Sequence, residues 1–358
     1  MLSKSGLIIV LLLAAITVFP QASGQRSFDV QKVAGGVYAV IRREPASLWF
    51  NANNVFIVGK NDVIVVDANL TVGYTKEVIA ALREITDKPV KYVINTHWHE
   101  DHIIGNRAYR EAFPDVKFVG HRSTLKDLPE IGGGNRKGTL QNGRGFVGML
   151  EANLEKGESI AGGVITDEER AGYASDIKFV SSYLAESSAF EIVLPDVLVD
   201  DRLEIKQDGR KVEVWFLGRA HTGADLVVNL PSEKIAITGD LMVYPVPLLG
   251  STSYPLEYAA TLEKLKAIGS RMYIPGHGPV MKDDLYLDKM IVLAAAVRDR
   301  SRLAYKTGET LEQMRIKIDL TDQQKVFAGD SRHRGFIFKN YVTLPATAAA
   351  FKHLGEGK

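Results

Sequence analysis

The chain contains no cysteine. That absence excludes disulfides as a source of stability and removes every thiolate from the possible metal ligands, so a metal site here must be built from imidazole and carboxylate. It also excludes a lipidated N-terminal cysteine. An excess of charge of either sign is missing too, with 44 Lys and Arg against 43 Asp and Glu. Nucleic-acid binding needs a basic footprint to neutralise phosphates, and a balance this near zero argues against such a partner. The apolar run over 6–19 (GLIIVLLLAAITVF) falls short of the about 20 residues that span a bilayer.

What is present is ordinary globular material: 358 residues, 46% hydrophobic and 24% charged, enough for a sizeable core. The first two dozen residues stand apart. Lys4, the short apolar run, and the small residues Ala22, Ser23 and Gly24 have the form of a secretory signal peptide over 1–24. The leader carries Lys4 and no acid, so the mature chain is left with 43 residues of each sign. The expectation is an exported protein, periplasmic or secreted, with no stable membrane association after cleavage.

Beyond the leader, VYAVIR (37–42), NVFIVG (54–59) and VIVVDA (63–68) read as strands in hairpins. Val78, Ile79, Leu82 and Ile85 then lie on one helical stripe that stops at Pro89. KYVINT (91–96) runs directly into His97, completing a strand–helix–strand crossover, and sheets of this kind place ligands beyond the carboxyl ends of their strands. VKFVGH (116–121) is a further strand. The segment over about 129–188 is Gly-rich and then charged and helix-prone, and reads as an insertion or lid. Strands return at 212–218, 226–230 and 234–240, a helix covers 256–268, MYIPGH (272–277) is a last strand, and a long helix spans 284–306. The expected organisation is a main domain over 25–308 and a C-terminal extension over 309–358.

Five short stretches carry the chemistry: Asp67 in VIVVDAN, the run His97-Trp98-His99-Glu100-Asp101-His102, His221 in GRAHTGADL, Asp240 in ITGDLM and His277 in PGHGP. Each is expected at or just beyond the carboxyl end of a strand. In an extended chain residues two apart project to one side, so His97 and His99 can converge on one ion. Asp101 and His102 continue into the turn, where they can face a second ion. His221 and His277 are the natural completing ligands, and the Asp240 carboxylate could bridge two ions about 3.5–4 Å apart. An isolated HxH pair is common on surface strands, but five of the chain's eight histidines fall in these contexts.

HWHEDH, GRAHTG, TGD and PGHGP, in that order over roughly 33–282, resemble the metallo-β-lactamase superfamily. The resemblance implies an α/β (α+β) fold, an αββα sandwich of two mixed β-sheets with helices on the outer faces. It implies that His97, His99 and His221 bind one metal and Asp101, His102 and His277 the other, with Asp240 bridging and Asp67 buttressing the metal-binding loop. Two divalent ions are expected, zinc first, with iron or manganese also compatible with these ligands. The resemblance is not to every branch. Asp240 and Val243 stand where dedicated β-lactamases tend to carry Cys and Lys, and His99 disfavours the di-iron flavoprotein branch, which has Glu there. Export makes a cytosolic glutathione thioester an unexpected substrate.

The expected activity is hydrolysis by a metal-bound hydroxide of an acyl bond in a small molecule: β-lactam amide, lactone, ester or thioester. Asp101 is the expected catalytic residue, orienting the nucleophile and shuttling its proton. The rival reading is a non-hydrolytic metal-binding or redox-accessory protein of the same fold. Trp49 and Phe50, between the first two strands, are candidates to cover a hydrophobic substrate or to bury against the sheet. Tyr244 is expected to line the cleft, its hydroxyl a candidate to assist an oxyanion. Trp98 and Glu100 are expected to point away from the metals as packing and surface, His121 to take no metal role, and His333 and His353 to lie on the surface.

Overall fold

The computed structural model describes residues 26–187 and 190–356. The signal peptide expected over 1–24 lies outside them. Twelve strands are described: β1 (Phe28–Ala34), β2 (Val37–Arg42), β3 (Asn54–Val58), β4 (Val63–Val66), β5 (Val90–Ile94), β6 (Lys117–His121), β7 (Val197–Val199), β8 (Arg202–Gln207), β9 (Arg210–Phe216), β10 (Leu226–Leu230), β11 (Ile235–Val243) and β12 (Met272–His277). The helices are α1 (Val72–Ile85), α2 (Glu100–Ile103), α3 (Asn106–Ala112), α4 (Thr124–Asp127), α5 (Gly133–Lys156), α6 (Asp167–Glu186), α7 (Tyr258–Ala267), α8 (Leu285–Lys306), α9 (Leu311–Lys317), α10 (Thr321–Ala328), α11 (Arg332–Phe338) and α12 (Leu344–Glu356).

The strands form two sheets. One runs β1-β2-β3-β4-β5-β6-β7, antiparallel as far as β4 and parallel from there; the other runs β12-β11-β10-β9-β8, with β11 and β12 parallel and the rest antiparallel. The β4–α1–β5 crossover predicted from the change of period is present. Thr71 caps α1 by accepting from Tyr74 N–H, and the buried stripe of Val78, Ile79 and Leu82 faces the sheet. β4 (VIVV) is buried on both faces, as a strand covered on both sides must be.

Packing confirms four layers. Val55, Ile57, Ile64 and Val66 from the first sheet meet Val214, Val228 and Ile237 from the second in one apolar cluster between the sheets. Val78 and Leu82 of α1 and Tyr109 of α3 cover the first sheet's outer face with Val65 and Val93. Leu262, Leu287 and Leu293 of α7 and α8 cover the second. This is the αββα sandwich, α/β with mixed sheets.

The structure adds elements that the sequence pattern did not show. β1, β7 and β8 are half-exposed edge strands. The segment 129–188 forms mainly the helices α5 and α6, which pack on each other. α6 opens on a reciprocal cap in which Thr166 and Glu169 satisfy each other's backbone N–H. Gly143 of α5 lets the helices close: a Cβ there would sit 3.2 Å from Val180. Phe327, Ile337, Phe338, Val342 and Ala346 of the C-terminal helices share the outer core with Leu287 and Leu293. His333, expected on the surface, is 3% exposed and donates to the Ala46 carbonyl at 2.8 Å, while His353 stacks on Tyr254 at 4.8 Å. Both lie on helices whose burial is decided by packing against distant loops. Among the described residues no helix is long and apolar enough to cross a membrane.

Candidate metal centre

At one end of the sandwich the parallel strands β4, β5, β11 and β12 deliver Asp67, the 97–102 run, Asp240 and His277 to a common point, and the loop after β9 adds His221. Asp240 departs from expectation in one respect. It lies inside β11 rather than beyond it, where the pairing with β12 shifts register between Gly239 and Val243. The irregularity frees Asp240 to turn toward the histidines. Gly276 on β12 makes room, because a Cβ there would lie 2.0 Å from Asp240 Oδ1.

The donor atoms form two groups: His97, His99, His221 and Asp240 in one, Asp101, His102 and His277 in the other, with the atoms of each group within 4.8 Å of one another. Asp240 faces both. Its Oδ2 is 4.0 Å from His97 Nε2 and 3.5 Å from His221 Nε2, while Oδ1 is 3.3 Å from both His102 Nε2 and His277 Nε2. Asp101 Oδ2 lies 3.3 Å from His102 Nε2 and 3.2 Å from His277 Nε2.

Hydrogen bonds behind the rings fix which nitrogen faces inward. His102 Nδ1–H donates to Asp67 Oδ2 at 2.9 Å, His221 Nδ1–H to the Leu248 carbonyl at 2.9 Å, and His277 Nδ1–H to the Asn51 carbonyl at 3.0 Å. Those partners accept only, so in the neutral ring the Nε2 lone pair must point into the cluster. His97 Nδ1 lies 3.1 Å from Thr96 Oγ1, whose hydroxyl donates to Asp67 Oδ2 at 2.9 Å. His99 is reversed: Nε2 lies 3.1 Å from Thr252 Oγ1 and Nδ1 faces His221 Nε2 at 2.8 Å. Two facing lone pairs at that distance repel unless a cation or proton lies between them.

Burial makes the case stronger. His97 Nε2, His102 Nε2, His277 Nε2, Asp101 Oδ2 and Asp240 Oδ1 are buried without a hydrogen-bond partner. Buried polar atoms are almost always satisfied, so five orphans converging on one place fit a cation site of imidazole and carboxylate. Burial, reinforced by the neighbouring rings, holds His97 and His99 below the usual histidine range, His99 at about 3, so both present lone pairs at neutral pH. Burial opposes charge on His277 as well, yet the carboxylates of Asp240 and Asp101 beside it raise it to about 9. Burial pushes the Asp240 carboxyl up, but the His277 and His102 rings outweigh it and hold the group well below the usual range.

Asp67 sits behind the site rather than in it. It accepts from Thr96 N–H at 2.8 Å, from Thr96 Oγ1 and from His102 Nδ1, with its own backbone at φ 60°. Glu100 corrects an expectation: it is half-buried, not on the surface, and accepts from Tyr183 Oη of α6 at 2.8 Å. Trp98 is buried against Ile103 and Leu128, and His121 is held by Ser123 and Phe216 away from the cluster.

Of the two aromatics in the loop between β2 and β3, the flap, Phe50 lies 4.1 Å from the His277 ring and Trp49 packs edge-on to Tyr183 at 5.8 Å. The flap is tied down by residues that sequence reasoning passed over. Trp49 N–H donates to Asp176 at 2.6 Å, Tyr341 Oη to the Leu48 carbonyl at 2.5 Å, and Asn53 Nδ2 to the carbonyls of Pro275 and Gly278 at 3.0 and 2.8 Å. The run Asn51-Ala52-Asn53-Asn54 was the available signal, since buried asparagines in sequence mark backbone that needs side-chain partners.

The family model of the metallo-beta-lactamase superfamily matches residues 48–277, more than half of the chain and all of the clustered residues. The chain belongs to the metallo-beta-lactamase superfamily. Within it, the chain is similar to a linear primary-alkylsulfatase from Pseudomonas sp. (strain ATCC 19151), 24% identical over 262 residues that make up 70% of this chain and 45% of the relative. It is 22% identical to a beta-lactamase-like protein 2 homolog from Caenorhabditis elegans, across 82% of this chain and 78% of that one. The chain thus spans about half the length of the alkylsulfatase.

Solved structures show the same fold. A double mutant of the sec-alkyl sulfatase PisA1 superposes with a TM-score of 0.63 at 17% identity, covering 91% of this chain and 50% of that one. The metallo-beta-lactamase from Pontibacter korlensis gives 0.50 at 18% identity, covering 75% of this superfamily member and 99% of that chain.

Proposed function

We propose that this superfamily member is a metal-dependent hydrolase that holds two divalent cations, zinc being the expected pair, and cleaves an acyl bond in a small molecule. The observation that carries the reading is the set of five buried, unpartnered donor atoms converging beside a cavity. In this reading His97, His99 and His221 would hold one cation and Asp101, His102 and His277 the other, with Asp240 facing both groups. Cations bound there would supply Lewis acidity and lower the pKa of water toward about 7.

The chain's own residues do the rest. The bonds from Asp67, Leu248 and Asn51 hold three imidazoles in one tautomer, so donor geometry is set before substrate arrives. Asp101 orients the attacking water and receives its proton in this reading, which the 16% exposure of its side chain, against 2% for Asp240, supports. The water oxygen joins the acyl carbon, the bond to the leaving group breaks, and the proton passes to that group. Residues 25–308 are read as the hydrolase domain, and export on the 1–24 leader belongs to the same proposal.

An acyl substrate is the first reading and rests on the imidazole and carboxylate donor set. The arginines that line the cavity, Arg42 and Arg334, lie 4.0 Å from Glu44 and 2.9 Å from Glu168, and Arg42 Nη2 is buried without a hydrogen-bond partner. The sequence likeness to a linear primary-alkylsulfatase favours a sulfate ester as the second reading.

The test is a substrate panel on the full-length, metal-quantified protein: nitrocefin, a lactone, a thioester, a p-nitrophenyl ester, an n-alkyl sulfate and a phosphodiester. Acyl turnover that Asp101→Ala removes at unchanged metal content supports the proposal. Turnover of the alkyl sulfate alone moves the assignment to the second reading. No turnover by fully metallated protein leaves a non-hydrolytic metal-binding role.

A further inference from the structure

We propose that Tyr341, in the C-terminal extension, is a positioning residue for His277 and acts on it through Phe50 of the flap, an inference that rests on the reading of His277 as a metal donor. The three rings form one line of contact. Phe50 lies 4.1 Å from the His277 ring, and Tyr341 packs edge-on to Phe50 at 6.0 Å. Tyr341 Oη also donates to the Leu48 carbonyl at 2.5 Å, two residues before Phe50. One side chain therefore holds the Phe50 ring by contact and the backbone leading to it by a hydrogen bond.

His277 needs such a stop. Its Nδ1–H donates to the Asn51 carbonyl at 3.0 Å, and Asn51 is held in turn where its Oδ1 accepts from Leu70 N–H at 2.8 Å. That bond fixes one ring atom, but the outer torsion of a histidine side chain is broad, so the ring can still tilt about the line from Cβ to Nδ1. A tilt swings Nε2, which lies 3.2 Å from Asp101 Oδ2 and 3.3 Å from Asp240 Oδ1. Ligand distances in a metal site hold to within about 0.2 Å, so a small tilt is enough to spoil the donor. The Phe50 ring supplies the second contact that stops it. The residues before Phe50 are fixed from two other directions. His333 donates to the Ala46 carbonyl at 2.8 Å, in space left by Gly172 of α6, where a Cβ would lie 2.5 Å from His333 Nε2. Asp176, one turn further along α6, accepts from Trp49 N–H at 2.6 Å. The flap that carries Phe50 is thus a braced support, and Tyr341 is the brace that touches the ring itself.

The experiment loads the full chain with zinc and counts metal per chain along a chelator titration, with cobalt loading and its visible absorption as the report on donor geometry. Wild type should hold two ions, and His277→Ala should weaken one of them. Phe50→Ala and Tyr341→Ala should weaken the same ion about 10-fold, the lower end of the range for a lost partner behind a metal-binding imidazole, and should shift the cobalt spectrum. Tyr341→Phe keeps the ring on Phe50 and should lose less than Tyr341→Ala. Phe338→Leu controls for destabilisation alone, since the buried Phe338 ring belongs to the same helical core and stacks on Phe327. It should lower the melting temperature and leave the titration and spectrum unchanged. Circular dichroism checks each fold, and Phe50→Ala, a change in a loop, carries the test if Tyr341→Ala does not fold. A folded Phe50→Ala or Tyr341→Ala protein with the wild-type titration and spectrum would overturn the positioning role and leave the two-ion reading intact. Metal loss in Phe338→Leu equal to that in Tyr341→Ala would overturn it as well, because stability alone would then account for the loss. Wild type that holds fewer than two ions, or His277→Ala that holds both as tightly, would overturn the two-ion reading and the positioning role with it.

Discussion

Asp67 makes the sharpest test of the site because it touches no proposed metal yet controls two of the rings. Its carboxylate accepts three hydrogen bonds, from Thr96 N–H at 2.8 Å, Thr96 Oγ1 at 2.9 Å and His102 Nδ1 at 2.9 Å, and Thr96 Oγ1 in turn meets His97 Nδ1. Asp67→Asn keeps the size, and asparagine is among the residues that tolerate the backbone φ of 60° found here. The amide oxygen can still accept from Thr96 N–H. The amide nitrogen then occupies the Oδ2 position, where it confronts two donors. The threonine hydroxyl can turn to accept, but His102 can accept only by moving its proton from Nδ1 to Nε2, the atom that faces Asp101 and Asp240. Loss of such a partner behind a metal-binding imidazole costs about 10–100-fold in metal affinity, or about 1.4–2.8 kcal/mol. The loss should fall on the Asp101, His102 and His277 group first. Metal per chain, measured by mass spectrometry across a chelator titration, reads it directly, with circular dichroism as the check on folding. A folded Asp67→Asn protein that keeps wild-type metal content and chelator resistance would falsify the assignment of His102 as a ligand oriented by Asp67.

Three further outcomes rest on the same geometry. Gly276→Ala puts a methyl 2.0 Å from Asp240 Oδ1 and 2.9 Å from the Gly239 carbonyl carbon, so it should cost about 1–3 kcal/mol and lower metal content; a melting curve and metal count matching wild type would contradict it. Asp176 is raised by burial to about 7 from 3.8, so the folded chain holds this proton more tightly than the unfolded one and its contribution to stability falls as pH rises from about 4 to about 7. Asp176→Asn retains an acceptor for Trp49 N–H and should therefore melt higher than wild type at pH 8, by on the order of 2–4 kcal/mol in stability, with the curves converging at pH 4. Equal melting temperatures at pH 8 would show that the buried carboxyl carries no such penalty. Tyr183→Phe removes the donor to Glu100, next to His99 and Asp101, and should lower stability by about 1–3 kcal/mol while leaving the flap contact between Asp176 and Trp49 in place; differential scanning calorimetry measures the first and protease cleavage within the flap the second.

The clustered donor residues were legible in the primary structure because strand periodicity and histidine spacing are local. KYVINT (91–96) reads as a strand running into His97, the structure forms it as β5 (Val90–Ile94), and residues after a parallel strand emerge at its carboxyl end. His97, His99, Asp101 and His102 therefore announce themselves together, and His277, at the carboxyl end of β12, obeys the same rule in the second sheet. The β4–α1–β5 crossover was likewise readable from the change of period, while the layered sandwich was what the resemblance of the motifs implied.

Other features depend on contacts between residues far apart in the chain, which no local period encodes. Asp240 lies within β11 because the pairing with β12 shifts there, and the space it enters exists only because Gly276 has no side chain. Glu100 meets Tyr183 across 83 residues, and His333 meets Ala46 across 287. The half-exposed strands β1, β7 and β8 lie at sheet edges, where pairing with one neighbour completes them. The sequence by itself determined which atoms can converge, through residue type and local geometry. The tertiary structure decided which nitrogen of each histidine faces inward, what holds the flap, and that the C-terminal helices wall the cavity, because each of these is settled by a partner the chain meets only once it has folded.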